Sequence, residues 1–171
     1  MKRKYLIQTK SYDENSGGII VLHKLCSILN ELGHESYLIP PHNRYYEISK
    51  NSPHTSVKAV LGFLRRVFIG LRQEHNAYKT FKTNPAFNTP ILNAKGTVFD
   101  DDWIIIYPEI VVGNPLQAKN VVRWLLYKPG VLEHKKIYFG QNELYFKFCI
   151  SSSFIQSQIK NQLYQSVTPL Y

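Results

Sequence analysis

The stretch YLIQTKSYDENSGGIIVLHKLCSILNELGHESYLI, Tyr5 to Ile39, decides the fold. Tyr5-Leu6-Ile7-Gln8-Thr9 is a run of strand length. Ser11 to Gly18 is polar and ends in Ser16-Gly17-Gly18. Val21, Leu22, Leu25, Ile28, Leu29 and Leu32 then recur at helical spacing on one face. His23, Ser27, Asn30 and Glu31 fall opposite. Gly33 reads as a C-cap glycine. Ser36-Tyr37-Leu38-Ile39 is a second strand, stopped by Pro40-Pro41. Strand, helix and strand at these lengths make a β-α-β unit, which implies a parallel pair with a right-handed crossover.

The same alternation continues downstream. Trp103-Ile104-Ile105-Ile106-Tyr107 is a short apolar strand, and Glu109 and Asn114 fall in the polar loop after it. In YPEIVVGNPLQAKNVVRWLLYKPG, Tyr107 to Gly130, the spacing predicts a helix over 115–127. Asn114 is its N-cap, Pro115 its first residue, and Pro129-Gly130 its stop. Glu143 to Ile150 reads as a further strand, and Ile155, Ile159 and Leu163 mark a weak last helix. Residues 40–56 read as loop, and 75–97 as irregular. Strands at 4–9, 35–39, 103–107 and 144–150 are expected in one mainly parallel sheet. The expected fold is a Rossmann-like three-layer α/β domain spanning 1–171.

A chain of 171 residues, 44% apolar and 19% charged, can bury a real core, so a globular domain is expected rather than disorder. The net charge of +9 favours anionic partners without choosing among them. No nucleic-acid motif accompanies it, so nucleic acid is not expected. Cys26 and Cys149 lie in apolar contexts outside any CxxC pair and read as reduced core thiols of a cytoplasmic protein. Six histidines without HExxH or paired spacing give no metal site. The basic MKRKYLIQTK start has too short an apolar run for a signal peptide. No segment reaches the roughly 20 apolar residues of a transmembrane helix.

Several motifs could carry chemistry. Ser16, Gly17 and Gly18 stand at a strand-to-helix turn, where bare backbone and the helix dipole suit a phosphate. They match neither GxGxxG nor a P-loop, and a plain tight turn uses glycines equally well. Glu109 suits a general base or a ligand for sugar hydroxyls; the alternative is that Glu109 and Asn114 only cap the next helix. His23 is a base pointing into a cleft or an ordinary exposed histidine. Arg123, mid-helix on this reading, is a ligand contact or a surface ion pair. Asp100-Asp101-Asp102 contains DxD but precedes its strand, and so reads as a solvated turn at the wrong end of the sheet.

Residues 57–74 read as a basic amphipathic helix. Val60, Phe63, Leu64, Val67, Phe68 and Leu71 line the side expected to pack, and Lys58, Arg65, Arg66 and Arg72 the other. Such helices lie on anionic membranes or simply present a solvated cationic face.

Together these residues resemble a known family. Asp13 with Ser16-Gly17-Gly18, Val21-Leu22-His23 and Leu32-Gly33-His34 is similar to the N-terminal half of bacterial glycosyltransferases with two facing Rossmann-like domains, the GT-B architecture. Tyr107-Pro108-Glu109, Gly113-Asn114-Pro115-Leu116 and Arg123-Trp124-Leu125-Leu126 resemble the members that build surface polysaccharides. The resemblance covers most of 1–150 in two blocks. It implies that Gly17 and Gly18 face the diphosphate of a nucleotide-sugar donor, and that Tyr107, Glu109 and Asn114 line the opposing edge. It implies transfer to a glycan or lipid-linked acceptor on the cytoplasmic face of the membrane, without metal or other cofactor. Family members grip the nucleotide with a second domain, often through two glutamates eight positions apart. No pair of glutamates here has that separation. The chain is therefore expected to be a truncation, a split enzyme or a remnant, inactive without a C-terminal domain. The competing reading is a non-catalytic Rossmann-like module that recruits an anionic partner.

Overall fold

The computed structural model describes residues 3–41, 65, 68, 69, 72, 75–93, 97–127 and 143–147. Strands β1 (Lys4–Gln8), β2 (Glu35–Ile39), β3 (Trp103–Pro108), β4 (Asn120–Leu125) and β5 (Leu144–Lys147) form one sheet in the order β2-β1-β3-β4-β5. Every pairing is parallel. Helix α1 (Gly17–Glu31) joins β1 to β2. Ile91 adds a parallel bridge to Leu38 outside β2. Counted as a strand position, it gives the order 3-2-1-4-5-6 of the Rossmann sheet. The fold is Rossmann-like α/β, as the alternation predicts.

The winding follows from handedness. The chain steps from β1 to β2 in one direction and from β3 to β4 in the other. Two right-handed connections must then cover opposite faces. They do: α1 packs through Leu22 and Cys26 on Ile7, Leu38 and Ile106. The 109–119 connection packs through Val111 and Ala118 on Leu6, Ile105, Tyr107 and Val121.

α1 ends as the sequence directs. Gly33, at φ 82, donates its N–H to Asn30 O, and His34 donates to Leu29 O, the paired bonds of a Schellman motif. Its buried face is rotated from the apolar stripe of the sequence. Leu22, His23, Cys26 and Ser27 are buried, whereas Val21, Ile28 and Leu32 are exposed. The supposed solvent side is covered by residues 81–90. Asn88 N donates to Ser27 Oγ, and Asn30 Nδ2 donates to Asn88 O and Ser36 O. Polar side chains there satisfy the backbone of an irregular segment.

The second correction concerns 115–127, where no helix forms. Residues 120–125 are β4, with Val121, Arg123 and Leu125 buried in alternation. Asn114 and Pro115 begin a turn instead of a helix. Gly113 and Gln117 take positive φ, 66 and 53, and the eleven residues between Pro108 and Asn120 cross over without a helix. The β-branched and aromatic content of Asn120–Leu125 outweighs the helix punctuation around it.

The strand expected at 144–150 is described over 144–147. The residues 42–56, the last helix at 155–163, and Cys149 lie outside the described residues. Cys26 is buried and free, and burial pushes its thiol up to about 11. Among the described residues no helix is long and apolar enough to cross a membrane.

Candidate functional site

All five strands point the same way, so one edge of the sheet gathers their carboxyl ends. The connections leaving β1 and β3 diverge there, which opens a crevice between neighbouring strands. α1 begins beside it. Ser16 is the N-cap, in extended backbone at φ −113 and ψ 98, and its side chain makes no capping bond. The first turn holds no acidic residue. Its first N–H groups have no partner within the helix, and the Asp13 carboxylate, which accepts the Asn15 N–H at 3.0 Å, stands just before it.

Neither glycine at this helix start is demanded by the protein's own geometry. Only Gly33 and Gly113 among the described glycines have positive φ. A Cβ at Gly17 would meet nothing within 4 Å, and one at Gly18 would make an ordinary 3.7 Å contact with Leu126 Cδ1. The backbone of Gly17 therefore faces open space.

Leu126 links this corner to Glu109. Its N–H donates to Glu109 Oε2 at 3.0 Å, which ties the exit of β3 to the exit of β4. Glu109 is buried, 6% exposed. Burial pushes its carboxyl above the ordinary value of 4.5, against the opposing pull of its own N–H and those of Leu126 and Tyr127. Gly18, Leu126 and Glu109 thus form one continuous corner.

Tyr107, Asn114 and Arg123 belong to a different layer. Their side chains sit on the sheet face opposite α1 and build the 109–119 loop. Tyr107 OH donates to Asn114 Oδ1 at 3.1 Å and accepts the Leu116 N–H. Asn114 brackets Ala118, accepting its N–H at 3.0 Å and donating to its carbonyl at 2.7 Å. Asn114 is therefore a loop clasp, not a helix cap.

Arg123 is no surface residue: it is 0% exposed. Its Nε lies 2.7 Å from Glu143 Oε2, its remaining donors reach Val111 O and Gly113 O, and its guanidinium lies 4.9 Å from the centre of the Tyr107 ring. Glu143 also accepts from Tyr145, whose phenol is pushed up to about 12 by burial and the Glu143 charge. A buried cation with these partners is a structural tie. Sequence reasoning missed Glu143. No local signal marks a carboxylate twenty residues from its arginine.

His23 is likewise buried instead of exposed. Its Nε2 lies 3.0 Å from Lys10 O, so it carries the proton there. The ring stacks on Phe81 and meets Tyr12 edge-on. Burial pulls its pKa below 6.5, outweighing the Lys10 carbonyl. Its Nδ1, with Gln8 Oε1 and Thr9 Oγ1, is a buried polar atom without a hydrogen bond inside the protein. Gln8 and Thr9 mark where the first strand reaches the crevice. Their polarity after Leu6-Ile7 is the signal that could have found them.

The Asp100–Asp102 segment is a turn at the amino end of β3, where Asp101 pairs with Lys119. In the basic segment Arg65 and Arg72 are helical and exposed, while Lys58 and Arg66 lie outside the described residues. Phe68, expected to pack inward, is 66% exposed.

No family model matches the chain, and no curated protein or solved structure is found similar to it. The Rossmann-like sheet and the carboxyl-edge corner stand on their own geometry.

Proposed function

We propose that this domain is the acceptor-side half of a GT-B-type glycosyltransferase. It would help move a sugar from a nucleotide-sugar donor to a glycan or lipid-linked acceptor in surface polysaccharide biosynthesis, at the cytoplasmic face of the membrane. One observation carries the reading. The start of α1 presents two glycines that neither φ nor packing requires, with open space before Gly17, next to buried Glu109. Unpaired amides and a positive helix end suit the developing charge on a leaving diphosphate. Glu109 is the base in this reading, taking the proton of the acceptor hydroxyl. A base works deprotonated, so turnover should rise with pH through a value above 4.5. The nucleotide would be held by a second α/β domain facing this edge.

The test is a transfer screen over nucleotide sugars, with and without a supplied second domain. Transfer is expected only with both parts present. Gly17→Val should then lower kcat/KM by at least about tenfold without lowering Tm, because a Cβ added there meets nothing within 4 Å. Failure of every donor with both domains present, or an unaffected Gly17→Val variant, would refute the proposal. A non-catalytic module would bind without turnover.

A further inference from the structure

The described helical residues 65, 68, 69, 72 and 75–80 share a pattern that the core does not explain. Arg65, Phe68, Ile69, Arg72, His75, Asn76 and Lys79 are all exposed. They recur at three, four and seven positions, the spacing of side chains that share one side of a helix. Ala77 and Tyr78, on the other side, are half-buried, and Tyr78 packs against the core cluster behind β1 and β3. Each residue of the stripe is itself exposed to solvent.

Its composition is unusual for a solvated surface. Phe68 is 66% and Ile69 42% exposed, and they lie between Arg65 and Arg72, with Lys79 two turns beyond. Among the described residues the stripe has no carboxylate. A solvated helix side needs no apolar pair at its centre, and a site for phosphate alone gains nothing from one. An anionic bilayer surface satisfies both. The arginines and lysine reach headgroup phosphates, while the phenyl and sec-butyl groups enter the boundary between headgroups and acyl chains. We infer that the Arg65–Phe68–Ile69–Arg72–Lys79 stripe docks this domain on an anionic phospholipid bilayer. The inference does not rest on the transferase reading.

The test is co-sedimentation of the full chain with vesicles of phosphatidylcholine, alone or mixed with phosphatidylglycerol. Binding is expected to the mixed vesicles and not to the neutral ones. Neutralising both arginines, Arg65→Gln with Arg72→Gln, should weaken it about 25-fold, at roughly fivefold for each cation. Phe68→Ser with Ile69→Ser should weaken it on the order of tenfold while leaving all charges in place. Raising salt should weaken binding of the wild type and of the serine variant alike. All four residues are exposed, so circular dichroism should show both variants folded. Equal binding to both vesicle types would overturn the inference, as would unchanged binding by either variant. A duplex oligonucleotide that displaces the protein from vesicles and binds the serine variant as tightly as the wild type would also overturn it. That result would reduce the stripe to a general anion patch.

Discussion

Arg123 holds a full charge where water does not reach. Its stability depends on keeping every partner. Removing one side of a buried ion pair leaves the other uncompensated, which costs roughly 3–5 kcal/mol. Arg123→Met and Glu143→Leu should each lower stability by about that amount in urea unfolding. The double variant should lose much less than the sum, because no charge is then stranded. Additive losses would mean that the pair is not coupled.

At the same scale, His23 sets a pH dependence. Its folded pKa lies below 6.5, so the folded state binds the proton less readily than the unfolded chain. The stability due to neutral His23 is complete above 6.5 and declines as pH falls toward the folded value. His23→Phe keeps a ring beside Phe81 and Tyr12 and removes the titration. Its Tm should therefore vary less between pH 7 and pH 5 than that of the wild type. It should also be lower throughout, by the equivalent of about 1–3 kcal/mol, because Lys10 O loses its donor.

At the scale of elements, the sequence is legible where period and punctuation agree. The strands β1, β2 and β3 and the ends of α1 follow directly from short apolar runs, Gly33 and Pro40. The 115–127 stretch misleads because its Asn-Pro start and Pro-Gly stop are helix signals, while Val121-Val122 and Trp124 favour a strand. Six residues are too few for periodicity to decide between them. The rotated face of α1 misleads for another reason. His23, Ser27 and Asn30 repeat at helical spacing, but Ser27 and Asn30 meet the backbone of distant Asn88, and His23 meets Lys10 O. The position of Gly17 and Gly18 at a strand-to-helix turn, and of Glu109 directly after a strand, was readable from the order of elements, although no helix follows Glu109. The inward placement of Tyr107, Asn114 and Arg123 was not, because it depends on β4 being a strand.

For the molecule as a whole, the parallel order has a consequence in time. The central pairing joins Lys4 to Trp103, whereas β2 ends at Ile39. During synthesis the first β-α-β unit can close locally, but the inner edge of β1 has no partner until β3 emerges. With 63 residues between Ile39 and Trp103, that delay is about 3–13 s at ordinary translation rates of about 5–20 residues per second. Closing so long a loop is also entropically slow in the isolated chain. Ribosome-bound chains halted at residue 90 should therefore be cleaved by protease within β1, and chains released after residue 127 should resist. The nascent protein spends that interval as an open template for strand addition, a hazard to itself that the finished sheet conceals by placing β1 between β2 and β3.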